Sequence, residues 1–136
     1  MNGWLILNTL FQKTCDMNLN SFLLVGAGGA IGSMLRYAIS WITTDKIFPY
    51  ATFAVNILGS LFIGILFGLI MKNNLSNYGW RFMATGICGG FTTFSALSLE
   101  GLELLQAQRY TIFLLYFLLS IILGIGAAFL GYTFTK

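Results

Sequence analysis

Only 8% of the 136 residues are charged and 57% are hydrophobic, whereas a soluble domain carries roughly one quarter charged residues; a lipid bilayer is therefore the main solvent, and the length allows one compact unit without a separate soluble domain. The net charge of +3 comes from seven scattered Lys and Arg residues, which form no basic stripe for nucleic acid. The chain contains no histidine, which removes the usual proton shuttle and the commonest metal ligand.

Residues 1–20 read as an N-terminal extension. Within it Trp4-Leu5-Ile6-Leu7 is too short to span, and no positively charged region precedes it, as a signal peptide would need. Met17, just before the first long apolar segment, is a second candidate start. No function is assigned to this extension. Cys15 and Cys88 are the only thiols. They lie in the extension and in a hydrophobic segment respectively, so no disulfide is expected, and Cys88 reads as a small buried residue.

From residue 21 to 136 the pattern predicts a four-helix transmembrane domain. Four segments reach the roughly 20 residues a spanning helix needs: about 21–42, 50–71, 80–107 and 110–134. Asp45, Lys46 and Pro49 mark a turn after the first, and Lys72-Asn73-Asn74 ends the second. Trp41, Tyr50, Trp80, Tyr110 and Tyr132 sit near segment ends, where amphipathic rings prefer the headgroup zone. Helices in lipid approach closely through small residues. Gly28 and Gly32 form such a pair in the first segment; Asn56, Ser60, Gly64 and Gly68 form a stripe in the second, and Ser120, Gly124 and Ala128 one in the fourth. Gly26-Ala27-Gly28-Gly29-Ala30-Ile31-Gly32 is only superficially a dinucleotide fingerprint, because no strand, helix start or partner acid accompanies it. So small a bundle has few internal contacts, and oligomerisation is expected.

The Lys and Arg residues give almost no orientation bias. Lys13, Lys72, Arg81 and Lys136 fall on one side, Lys46, Arg109 and Arg36 on the other. Orientation follows the Lys/Arg excess, so a chain without an excess can insert both ways, and two copies can pair as an inverted repeat made from separate chains.

The third segment carries the functional signal. Gly89-Gly90-Phe91-Thr92-Thr93-Phe94-Ser95 places two glycines and three hydroxyl residues at mid-membrane depth. Broken helices occur there only where the backbone lines a cavity or holds an ion. Asn56 lies deep in the second segment, and a carboxamide offers two N–H donors and one acceptor. Thr52 lies one turn before it, and Tyr116 and Ser120 share a face in the fourth segment. This sparse track of hydroxyl and amide donors, without a ring of carboxylates, favours an anion. Arg36 adds positive charge near one mouth. Phe91 and Phe94, presented edge-on, offer the positive rim of an aromatic ring. Backbone carbonyls exposed at the break suit a hard cation such as Na⁺, shared between two chains. Glu100 and Glu103 follow the break and are expected to be solvated or paired with Lys or Arg.

These residues resemble the Fluc fluoride channel family, also called CrcB. The resemblance covers about residues 21–134 and rests on four ordered pieces: Gly28-Gly29-Ala30-Ile31-Gly32 with Arg36-Tyr37; Thr52 with Val55-Asn56 and Gly59; Thr85-Gly86 through Gly89-Gly90-Phe91-Thr92-Thr93-Phe94-Ser95 with Glu100; and Tyr116 with Ser120. It implies an all-α membrane protein with four transmembrane helices per subunit, the third broken mid-membrane, paired as an antiparallel dual-topology homodimer. It also implies passive, fluoride-selective conduction across a bacterial inner membrane, which lowers cytoplasmic fluoride. By position, the carbonyls of Gly89 and Thr92 would hold a structural Na⁺. Asn56 and Phe94 would contact fluoride, Thr52, Thr93, Tyr116 and Ser120 would continue the pathway, and Arg36 would serve a vestibule. Two positions depart from the family pattern: Leu97 replaces a second phenylalanine and has no positive edge, and Gly124 falls where the serine track would continue.

A small dual-topology four-helix multidrug or cation exporter is the alternative. It needs a membrane-embedded carboxylate, and Glu100 is the only stand-in. A structural adaptor gains nothing from unwound backbone at mid-depth. An enzyme would need a nucleophile–base pair that this chain does not offer.

Overall fold

The computed structural model of the protein describes residues 18–42 and 48–136. The readings made on Trp4, Lys13, Cys15 and Met17, and on the turn at Asp45 and Lys46, lie outside the described residues. Among the described residues every element of regular secondary structure is a helix.

Helix α1 spans Leu19–Ile42. Asn18 caps it: its Oδ1 accepts the backbone N–H of Ser21 at 2.9 Å and the Ser21 hydroxyl at 2.6 Å, satisfying a donor that the first turn leaves without an intrahelical partner. Helix α2, Tyr50–Met71, follows Pro49. It ends where Asn73 takes a left-handed conformation (φ 58°), which Asn tolerates better than most residues. The N–H of Asn74 then bonds the Leu69 carbonyl at 2.9 Å and that of Asn73 the Ile70 carbonyl at 3.1 Å, closing the helix on its own last turn.

The third span is built from pieces. Helix α3 comprises Asn77–Trp80, a π-type stretch Arg81–Cys88, and Gly89–Phe91. Ser76 caps its start by accepting the N–H of Gly79 at 3.1 Å. The wide turns of a π stretch carry an extra residue, a feature frequent at functional sites. The backbone then runs extended through Thr92 (φ −77°, ψ 153°) and Thr93 (φ −150°, ψ 118°) before helix α4, Phe94–Gln106. The break thus falls on the β-branched threonines, which suit extended backbone. Gly89 and Gly90, the other residues of the run that promised a break, stay helical. Helix α4 closes as α2 does, with Gln108 at φ 57°, and helix α5 runs over Tyr110–Phe134. Four stretches are long and apolar enough to cross a membrane: Leu19–Trp41, Tyr50–Met71, Asn77–Gln106 and Tyr110–Phe134. An all-α membrane chain of four spans with a broken third span is therefore borne out.

Two backbone-to-backbone seams organise the bundle. Helix α1 lies on α3, and a side chain on Gly28 or Gly32 would run into the carbonyl oxygens of Phe82 and Ile87. Helix α2 lies on α5, where Gly64 faces the Ala128 carbonyl and Gly131 faces the Leu61 carbonyl. The small-residue stripes of the second and fourth segments therefore meet each other. Two apolar clusters flank the break. Leu66, Ala84 and Cys88 gather on one side, and Leu97, Leu104 and Tyr116 on the other. The outer faces of α1 and α5 stay exposed, with Phe22, Met34 and Trp41 on the first and Ile122, Ile125 and Phe129 on the second.

This packing makes a direct stability test. Gly64→Ala puts a methyl group against the Ala128 carbonyl and is expected to destabilise the subunit by about 1–3 kcal/mol, the usual cost of overpacking. Gly126→Ala, whose Cβ would meet nothing within 4 Å, is expected to be neutral or stabilising, as Ala is the better helix former. Thermal unfolding of both variants in detergent checks the contrast; equal melting temperatures would remove the seam from the account.

Candidate functional site

The end of α3 and the start of α4 leave backbone groups that lipid cannot satisfy. Asn56 of α2 takes two of them. Its Oδ1 accepts the Thr93 N–H at 2.8 Å and its Nδ2 donates to the Thr93 carbonyl at 3.2 Å. The carboxamide thus pairs with both backbone groups of one residue, as a neighbouring strand would. Arg36 of α1 takes a third, its Nε donating to the Gly90 carbonyl at 3.2 Å. Thr92 folds back on the helix it ends, its N–H and Oγ1 both donating to the Cys88 carbonyl at 2.9 and 2.8 Å. Thr93 starts the next helix, its Oγ1 accepting the N–H of Ala96 at 3.2 Å, and lies 3.0 Å from the Ser95 hydroxyl.

One consequence concerns Gly89. In an unbroken helix its carbonyl would accept the Thr93 N–H; here that N–H goes to Asn56. The Gly89 carbonyl loses its helical donor at an exposed position. Gly90 keeps close contact with α1, where a Cβ would strike the Gly29 carbonyl oxygen.

Beside the break lies a cavity of about 470 Å³. Asn56 and Ser60 of α2, Ser120 of α5, and Thr92 and Thr93 supply its polar wall, and none of its lining residues is charged. Cys88, Leu97 and Phe117 supply apolar wall. The Ser120 Oγ is buried and has no hydrogen-bond partner among the described residues, so it is a donor waiting for an acceptor. Helix α4 begins at the cavity, and the N-terminus of a helix carries partial positive charge. Phe94 lines the mouth and is 78% exposed on the subunit surface. Phe91 instead turns toward α2, near Gly59.

One turn further along α2 and α5 is a second polar group. The Thr52 hydroxyl donates to Glu100 Oε1 at 2.6 Å, and the Tyr116 hydroxyl donates to Glu100 Oε2 at 2.6 Å. Thr52 and Tyr116 are buried. This corrects the expectation that Glu100 is solvated or paired with Lys or Arg: its carboxylate is held by two hydroxyls, because α4 turns it inward between α2 and α5.

The predicted site residues therefore fall into three places. Asn56, Thr93, Phe94, Ser120, Gly89 and Thr92 gather at the cavity. Thr52 and Tyr116 lie beyond it around Glu100, and Arg36 reaches the break from the α1 side. Sequence reasoning gave Glu100 no place in the track. Its signal was present: it stands one turn after Leu97 on a helix whose other partners, Thr52 and Tyr116, stand one turn before Asn56 and Ser120. Cys88, read as plain core, also touches the cavity.

Comparison with known proteins gives the family. The family described as "CrcB-like protein, Camphor Resistance (CrcB)" matches residues 23–132. A protein of Azobacteroides pseudotrichonymphae named fluoride-specific ion channel FluC is 48% identical over 87% of this chain and 98% of its own length. Proteins with the same name from Flavobacterium psychrophilum and Thermus thermophilus are 42% and 45% identical, over 87% and 85% of this chain and 98% and 94% of their own lengths. Four apolar spans and bacterial relatives throughout identify a multi-pass bacterial membrane protein, and the match across nearly all the described residues means that the chain belongs to the CrcB-like family.

Proposed function

We propose that this chain is a passive fluoride-selective channel that lets fluoride leave the cell and so lowers its cytoplasmic concentration. The observation that carries the reading is the helix break clamped by Asn56 beside an uncharged, donor-bearing cavity. Hydroxyl and amide donors, the α4 N-terminus and the buried Ser120 hydroxyl all favour a small anion. A neutral lining also binds weakly enough for the ion to leave. The relatives' shared name points the same way, and away from an enzyme. Asn56 keeps one N–H beyond the one given to Thr93, and together with Phe94, Thr93 and Ser120 it would contact the ion. Thr52 and Tyr116 would continue the path. Arg36 would add positive charge near the break.

The active unit in this proposal is an antiparallel homodimer embedded in lipid. The wide apolar faces of α1 and α5, the exposed Phe94 and the balanced Lys/Arg distribution support a second copy in the opposite orientation. The carbonyl of Gly89, relieved of its helical donor, and that of Thr92 at the break are hard oxygen ligands of the kind Na⁺ takes, so these residues fit a structural Na⁺ between the two copies. Such a cation would supply positive charge to the oxygens of Gly89 and Thr92.

Fluoride efflux from liposomes, measured without a pH gradient, tests the function. Fast uncoupled fluoride flux with little chloride flux is expected; proton-driven movement of an organic cation, or no flux, would overturn it. Asn56→Asp keeps an acceptor for the Thr93 N–H but loses the amide donor and adds negative charge. It is expected to slow fluoride flux roughly a hundredfold, equivalent to about 2.7 kcal/mol of barrier, while the protein still elutes as a folded species. The cation is tested separately by exchanging Na⁺ for N-methylglucamine. At about a hundredfold excess over its Kd a bound ion stabilises by about 2.7 kcal/mol, so the melting temperature should fall by several degrees. A melting temperature indifferent to Na⁺ would strike the cation from the proposal.

A further inference from the structure

We infer that Glu100 sets the anion discrimination of the pathway by competing with the passing ion for the hydroxyl donors of Thr52 and Tyr116, an inference that rests on the fluoride-channel reading. The two hydroxyls each hold a separate carboxylate oxygen at 2.6 Å, at the short end of the range for O–H···O hydrogen bonds. Each hydroxyl has a single proton to give, and both protons are committed. The donors cannot drift away to serve an ion by moving bodily. Tyr116 is 0% exposed, and its ring meets Phe48 and Phe117 edge-to-face, at centroid distances of 5.4 and 5.9 Å. Thr52 is 7% exposed on α2. What can change cheaply is the direction of each O–H, which turns about its C–O bond.

An anion leaving the cavity along Asn56 and Ser120 meets this trio next, because Thr52 and Tyr116 follow one turn on along the same two helices. It gains their hydroxyls only by out-competing a carboxylate oxygen. Fluoride is the smallest halide and the strongest hydrogen-bond acceptor among them, and it can win that exchange. Chloride, larger and a weaker acceptor, cannot. The carboxylate therefore acts as a threshold on acceptor strength, and donor-only tracks lack such a threshold. A purely structural role, tying α2, α4 and α5 together, would change stability without changing the ratio of two anions.

The experiment measures fluoride and chloride efflux in parallel from liposomes holding the full chain, its Glu100→Gln variant and its Tyr116→Phe variant. Gln keeps one carbonyl acceptor and puts an N–H₂ donor where the other oxygen was, so one of the two hydroxyls loses its competitor, and the chloride-to-fluoride flux ratio of Glu100→Gln is expected to rise about tenfold. Tyr116→Phe removes a donor and keeps the carboxylate; fluoride flux is expected to fall and chloride flux not to rise. An unchanged ratio in Glu100→Gln overturns the inference. If Glu100→Gln does not elute as a folded species, Tyr116→Phe decides: slower fluoride with no rise in chloride flux supports the competition, and a raised chloride flux overturns it. Wild-type liposomes that pass no fluoride would bring down the channel reading itself, an outcome separate from a wild type that conducts and a Glu100→Gln variant with an unaltered ratio.

Discussion

A peptide unit that has left its helix inside a membrane needs a partner of the same chemistry, and the Asn56 carboxamide is that partner for Thr93. It returns one acceptor and one donor to one N–H and one C=O. Each such group left bare in hydrocarbon costs several kcal/mol, more than an interhelical side-chain bond usually contributes, so the break persists only while this pairing does. Everything nearby follows from it. With the Thr93 N–H engaged by α2, the Gly89 carbonyl is released, α4 can start afresh at Thr93, and the positive end of that helix is set at the cavity instead of being cancelled within a continuous span.

Close helix contact is the second condition. Asn56 reaches Thr93 where α2 lies against the break at Gly59, whose Cβ would strike the Thr92 methyl and the Phe91 ring; α5 is drawn onto α2 at Gly64 and Gly131, and α3 onto α1 at Gly28 and Gly32. Without a hydrophobic force between helices in lipid, these small-residue seams do the holding. They also leave the two apolar clusters on either side of the break, so the cavity between them has firm walls. Polarity is confined to a few hydroxyls and one amide.

Much of this was legible in the residues. The four spans follow from hydrophobic length, and the seams from glycine spacing at i, i+4. The broken span follows from Gly89-Gly90 and Thr92-Thr93 in one apolar run. The exact site of the break was not legible, because both glycines and threonines loosen a helix. Only the packing of Gly90 against Gly29 decides that the glycines stay helical while Thr92 and Thr93 extend. The π stretch at Arg81–Cys88 leaves no composition signal, since it arises from how α3 fits between α1 and α2. Glu100 was misread for a related reason. Acids in the second half of a span suggest the surface, and only the tertiary position of Thr52 and Tyr116 shows that two hydroxyls are waiting for Glu100.

Arg36 brings the two conditions together. It stands on α1, opposite Asn56 across the third span, and its Nε bonds the Gly90 carbonyl, one of the acceptors that the end of α3 would otherwise leave to hydrocarbon. A guanidinium has five N–H donors, so it can bond the carbonyl through one of them and still bring positive charge to the break. The break is therefore gripped from both flanks, by a neutral amide on the cavity side and a cation on the other. The asymmetry has a consequence for an anion. Among the described residues, the fixed positive charge that reaches the break acts through the backbone instead of lining the cavity, where it would hold a small anion too tightly to release. Attraction is supplied at a distance and contact is left to neutral donors, which is the division of labour that rapid passage requires.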